Sequence, residues 1–147
     1  MGGLLEVVTM RDIVSVIWYF LILIFGILVV HELGHVVAVS LLGIPVKLVY
    51  FDFDLNELSI GGGVVPDFSK MDCGEYCGLK VALILFSGGL ATALFGYAIR
   101  NYHPIVGTAL IGFGLSVGLL EVYGLNTSDI TFWTLVFWLF VAYLLYG

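Results

Sequence analysis

Residues 13–44 read IVSVIWYFLILIFGILVVHELGHVVAVSLLGI. The only Asp, Glu, Lys, Arg or His side chains in those 32 positions are His31, Glu32 and His35. An apolar run of 18 or more residues reads as a membrane-spanning helix. At about 1.5 Å per residue this one would be roughly 48 Å long, against a hydrocarbon core of about 30 Å. The helix must therefore tilt, bend or project beyond the core.

The rest of the chain agrees with that reading. Of 147 residues, 61% are hydrophobic and 11% charged, and the mean hydropathy is +1.14. A soluble domain is nearer half apolar and a quarter charged, and a chain this short cannot hide the excess in one core. The formal net charge of −6 argues against nucleic acid as a partner and against a polybasic membrane-surface protein. One membrane-embedded domain, 1–147, with the lipid bilayer around it is the expectation. Glu6 and Asp12 interrupt the N-terminal stretch, which does not read as a cleavable signal.

Further apolar runs at about 78–99, 105–125 and 130–146 predict three more spans. Between the first and second spans, Val46 to Ile60 alternates in places, as in Phe51-Asp52-Phe53-Asp54-Leu55. That pattern predicts a hairpin turning near Asp54 to Glu57, broken by Gly61-Gly62-Gly63 and followed by a polar loop, Pro66 to Cys77. The expected fold is all-α and polytopic, with about four transmembrane helices and a short β-hairpin between the first and second. Lys47, Lys70 and Lys80 lie on one side of such a topology, and Arg11 and Arg100 on the other. The first side, with the loops at 45–77 and 126–129, is then the cytoplasmic one. With no other Cys or His in its loop, Cys73-x-x-x-Cys77 reads as a reduced structural pair.

His31-Glu32-Leu33-Gly34-His35 is an HExxH motif inside a helix. Histidines at i and i+4 project from one helix face and can grip one Zn²⁺, while the glutamate beside them serves as general base. Ionisable groups in a membrane span are costly and mark function. A third protein ligand is needed, with one position left open. The candidates are His103, Glu121 and Asp129. His103 falls in the loop at the opposite end of the spans and reads as a solvated loop residue. Asp129 returns to the side of the metal between the third and fourth spans, although Asn126-Thr127-Ser128-Asp129 also resembles a helix cap. Glu121 shares the side, eight residues earlier on the third span.

At these residues the chain resembles the site-2 protease family of intramembrane zinc metalloproteases. HELGH is intact. Ser87-Gly88-Gly89-Leu90-Ala91-Thr92 looks like the family's small-residue motif, with Gly in place of its Pro and Thr in place of its Asn. The resemblance implies Zn²⁺ bound by His31, His35 and Asp129, with Glu32 as the catalytic base and Asn126 as a polar partner for the oxyanion or the peptide backbone. It implies hydrolysis of peptide bonds in or near transmembrane segments of membrane-anchored protein substrates, by an active site nearer the cytoplasmic side. The chain would be close to a minimal core without a PDZ domain, and a homo-oligomer is compatible with it. A substrate helix must be unwound before attack, and a strand edge around Val46 to Ile60 could hold it extended. The rival from another class is a non-proteolytic membrane protein that binds or transports metal through His31, Glu32, His35 and Glu121. The charges cluster at one depth and leave the other spans bare, which disfavours a transport path. A pure binder would have no need of Glu32.

Overall fold

The computed structural model describes residues 10–54, 59–72, 74–125 and 128–147. Four helices are long and apolar enough to cross a membrane: Met10–Leu41, Cys77–Ile99, Pro104–Val122 and Asp129–Tyr146. The first is composite. Helix α1 (Met10–Phe25) passes through one π-helical segment, Gly26–Val30, into α2 (His31–Leu41). The others are α3 (Cys77–Ile99), α4 (Pro104–Val122) and α5 (Ser128–Tyr146). Strands β1 (Val46–Asp54) and β2 (Ser59–Pro66) form an antiparallel hairpin between α2 and α3. The expected fold class is therefore the observed one.

Two helices stop three residues short of the expected boundaries, for the same reason. Gly43 and Gly124 adopt positive φ, 71° and 67°. The Gly43 and Ile44 amides donate to the Ser40 and Val39 carbonyls, and the Gly124 and Leu125 amides to those of Glu121 and Leu120. Both are Schellman ends, in which a left-handed glycine turns the chain off the helix axis. Ile44 then packs with Val39 and Ile84 in a small core. An apolar residue after the glycine completes the motif in structure, yet in sequence it reads as more helix.

Helices α3 and α4 pack through glycine. A Cβ at Gly89 would run into the Gly114 carbonyl, and one at Gly96 would come within 2.6 Å of the Gly107 carbonyl. In lipid there is no hydrophobic force to drive helices together, so close backbone approach and dispersion do the work. Helix α5 lies on the far face of α4, with the Trp138 ring over Gly112 and its Nε1–H donating to Ser116 Oγ at 3.0 Å. Helices α1 and α5 expose apolar side chains along much of their length, as lipid-facing helices do.

The hairpin runs from the pair Val46↔Pro66 to the pair Asp54↔Ser59, with an irregularity between Val46 and Leu48. Gly61-Gly62-Gly63 does not break it: those residues pair with Asp52, Phe51 and Tyr50 inside β2. A Cβ on Gly63 would meet the Tyr50 ring at 2.8 Å, so the bare strand makes room for an aromatic partner. The expected turn near Asp54 to Glu57 lies mostly outside the described residues. Past β2, Asp67 caps a short 3₁₀ turn, Phe68–Lys70. The Ser69 hydroxyl, 2.6 Å from Asp67 Oδ1, and then Lys47 Nζ at 3.0 Å hold that carboxyl below its usual range. Cys77, at the start of α3, is disulfide-bonded. This corrects the expectation of a reduced pair; Cys73, the other cysteine, is outside the described residues.

Candidate metal centre

The α2 helix carries His31 and His35 one turn apart, on the face turned to α3. Gly34 lets that face approach. A Cβ there would collide with the Ser87 carbonyl and lie 2.7 Å from Ala91 Cβ. Leu33, the other inner residue of the motif, is 54% exposed and faces outward. Gly88 of α3 provides the floor, because a Cβ there would strike His35 Nε2 and sit 2.6 Å from His31 Nε2. The two glycines give the imidazoles the space in which their Nε2 atoms converge.

The third member comes from the last turn of α4. Glu121 Oε1 lies 2.9 Å from His31 Nε2, and Glu121 Oε2 lies 3.7 Å from His35 Nε2. The two Nε2 atoms are 3.2 Å apart. The three side chains are only 8–12% exposed, and as a group they can hold a metal ion. The separations fit one. Four ligands at about 2.0–2.1 Å in a tetrahedron are spaced by about 3.3 Å, and the observed values straddle that spacing. Two imidazoles and one carboxylate with a fourth position open is a donor set of catalytic zinc sites.

The surrounding groups orient the ligands. His35 Nδ1–H donates to the Ile84 carbonyl at 2.7 Å, the arrangement that turns a neutral ring's Nε2 lone pair toward a metal. Glu32, 7% exposed, sits beside the group. Its Oε2 is buried and accepts no hydrogen bond among the described residues. Its Cγ would lie 3.1 Å from a Cβ on Gly62, so β2 passes directly over it.

The structure brings together three of the expected groups, His31, Glu32 and His35, with Glu121, one of the three candidates for the further ligand. It does not bring Asp129 to them. Asp129 is exposed in the first turn of α5 and lines a groove with Ser116, Leu119, Tyr123 and Trp133. Ser116 and Tyr123 lie about half a turn around α4 from Gly114, Gly118 and Glu121. Helix α4 therefore stands between Asp129 and the histidines, and the acid that the structure groups with His31 and His35 is Glu121, not the expected Asp129. The sequence argument compared depth along the spans and left the azimuth of α4 out. Asn126 lies outside the described residues. His103 caps the opposite end of α4, as its sidedness required. It is half-buried against the Tyr19 ring, with centroids 5.4 Å apart, rather than solvated.

One signal in the sequence did point to Glu121. Gly107, Gly114 and Glu121 are spaced by seven, so all three share the α4 face that packs on α3. Thr92, the last residue of the small-residue stretch Ser87 to Thr92, is fully buried next to His31. No protein-family model, no curated protein and no solved structure matches this chain.

Proposed function

We propose that this chain is an intramembrane zinc metalloprotease, hydrolysing peptide bonds in or near the transmembrane segments of other proteins. One observation carries the reading: a buried glutamate with an unused carboxylate oxygen lies beside two histidines and a second carboxylate, all within membrane-spanning helices. The resemblance of HELGH and the strands after it to site-2 proteases supports this. The third donor, Glu121 from α4, departs from that family's aspartate.

His31, His35 and Glu121 would hold the metal. Zn²⁺, when bound there, supplies Lewis acidity to a scissile carbonyl and makes water a stronger acid. Glu32 takes the proton of the attacking water and passes it to the leaving amine. The β2 backbone passes over that side chain at Gly62. The β1–β2 sheet has only two strands among the described residues, so each strand keeps one unpaired edge. An unwound substrate segment can add to such an edge as an extended strand, its backbone donors and acceptors satisfied while it is cut.

The test is cleavage of a panel of single-span membrane proteins by the purified chain in proteoliposomes, with and without Zn²⁺. Zinc-dependent cuts in or next to the spanning segments support the reading. Stoichiometric zinc with no cleavage of any panel member sinks it and leaves the metal-binding rival.

A further inference from the structure

We infer that Thr92 is a positioning residue that ties the π-helical segment to the first histidine of the metal centre. The inference rests on the metal half of the reading above and is independent of proteolysis.

Thr92 lies in the middle of α3 and is 0% exposed. A hydroxyl with no access to water must find its partners within the protein. Thr92 Oγ1 is 3.2 Å from the Gly26 carbonyl, 3.2 Å from the Gly88 carbonyl and 3.5 Å from His31 Nδ1. A hydroxyl has one hydrogen to donate and two lone pairs to accept with. Donation to Gly26 or Gly88 leaves it free to accept from His31 Nδ1–H. In that tautomer His31 Nε2 keeps its lone pair for a metal ion that would sit between it, Glu121 and His35.

The three partners are informative together. Gly26 opens the π segment, His31 follows its last residue, and Gly88 is the floor beneath both imidazoles. A π turn takes in one residue more than an α turn, so it rotates everything beyond it by roughly 100° relative to the preceding helix. The segment thus sets the direction in which His31 and His35 leave α2. Thr92 holds the start of the segment and the ring beyond its end to one point on α3. Loss of the hydroxyl should leave the donor set intact and its aim relaxed.

The experiment is zinc affinity by chelator competition in detergent-purified protein, for the wild type, Thr92→Val, Thr92→Ala and Thr92→Ser. Valine keeps the shape of threonine and removes the hydroxyl; serine keeps the hydroxyl and removes the methyl. Thr92→Val and Thr92→Ala should bind zinc about 10- to 100-fold more weakly, the usual cost of losing a group that orients a ligand. Thr92→Ser should return to within a few-fold of the wild type. Wild-type affinity in Thr92→Val overturns the inference, as does a Thr92→Ser protein as weak as Thr92→Val, which would make Thr92 mere packing. If Thr92→Val does not fold, Thr92→Ala against Thr92→Ser makes the same comparison. A wild type that binds no zinc overturns the metal reading and this inference together. A wild type that binds zinc and cleaves nothing removes the protease alone.

Discussion

Glu32 and His31 are neighbours in sequence, yet they serve different surfaces. Successive residues on a helix point about 100° apart, so His31 faces α3 while Glu32 lies under Gly62 of β2. Glu32→Gln keeps the size and loses the ability to take a proton. It should cut the cleavage rate by a factor of about 10² or more, with zinc content unchanged; rate loss accompanied by zinc loss would instead make Glu32 a ligand. Gly88→Ala puts a methyl against both Nε2 atoms and should lower zinc occupancy without unfolding the protein, as read by metal analysis beside circular dichroism. The histidine pair and Glu32 were legible because HExxH is local: one helix turn fixes their relation. Glu121 reaches the site from 90 residues beyond His31, and only its seven-residue spacing from Gly114 hinted at its face.

The helices themselves were legible from length and hydropathy, and their ends were not. A left-handed glycine followed by an apolar residue interrupts a helix without interrupting the hydropathy, as at Gly43-Ile44 and Gly124-Leu125. The Gly124 turn fixes where α4 stops, at Val122, with Glu121 in its last turn. Gly124→Ala forces a side chain into that conformation and should cost about 1–2 kcal/mol in equilibrium unfolding. Gly61→Ala is the control: its Cβ meets nothing within 4 Å and its φ is not left-handed, so it should be neutral or slightly stabilising. Equal losses in the two variants would contradict the assigned turn. The glycine triplet in β2 misled for the opposite reason. Glycine usually weakens a strand, but here it accommodates Tyr50 on one side and Glu32 on the other.

At the scale of the whole molecule, four helices long and apolar enough to cross a membrane would put the described residues of 42–76 and 123–125 on one side of the bilayer and 100–103 on the other. Single cysteines at Ser69 and Tyr123, in a background lacking Cys73 and Cys77, should be labelled by an impermeant thiol reagent from the same side, and one at Tyr102 from the opposite side. Labelling of Ser69 and Tyr123 from opposite sides would contradict the topology. That topology brings the final turn of α4 to the histidines of α2, while α4 itself screens them from α5. Both candidate acids therefore lie toward one end of the bundle, and only the packing of α4 between α3 and α5 separates them. The most direct test of the account is zinc quantified per mole of purified wild type, Glu121→Ala and Asp129→Ala. The expected result is about one zinc in the wild type and in Asp129→Ala, and a largely empty site in Glu121→Ala. Full occupancy in Glu121→Ala with loss in Asp129→Ala would contradict the centre described.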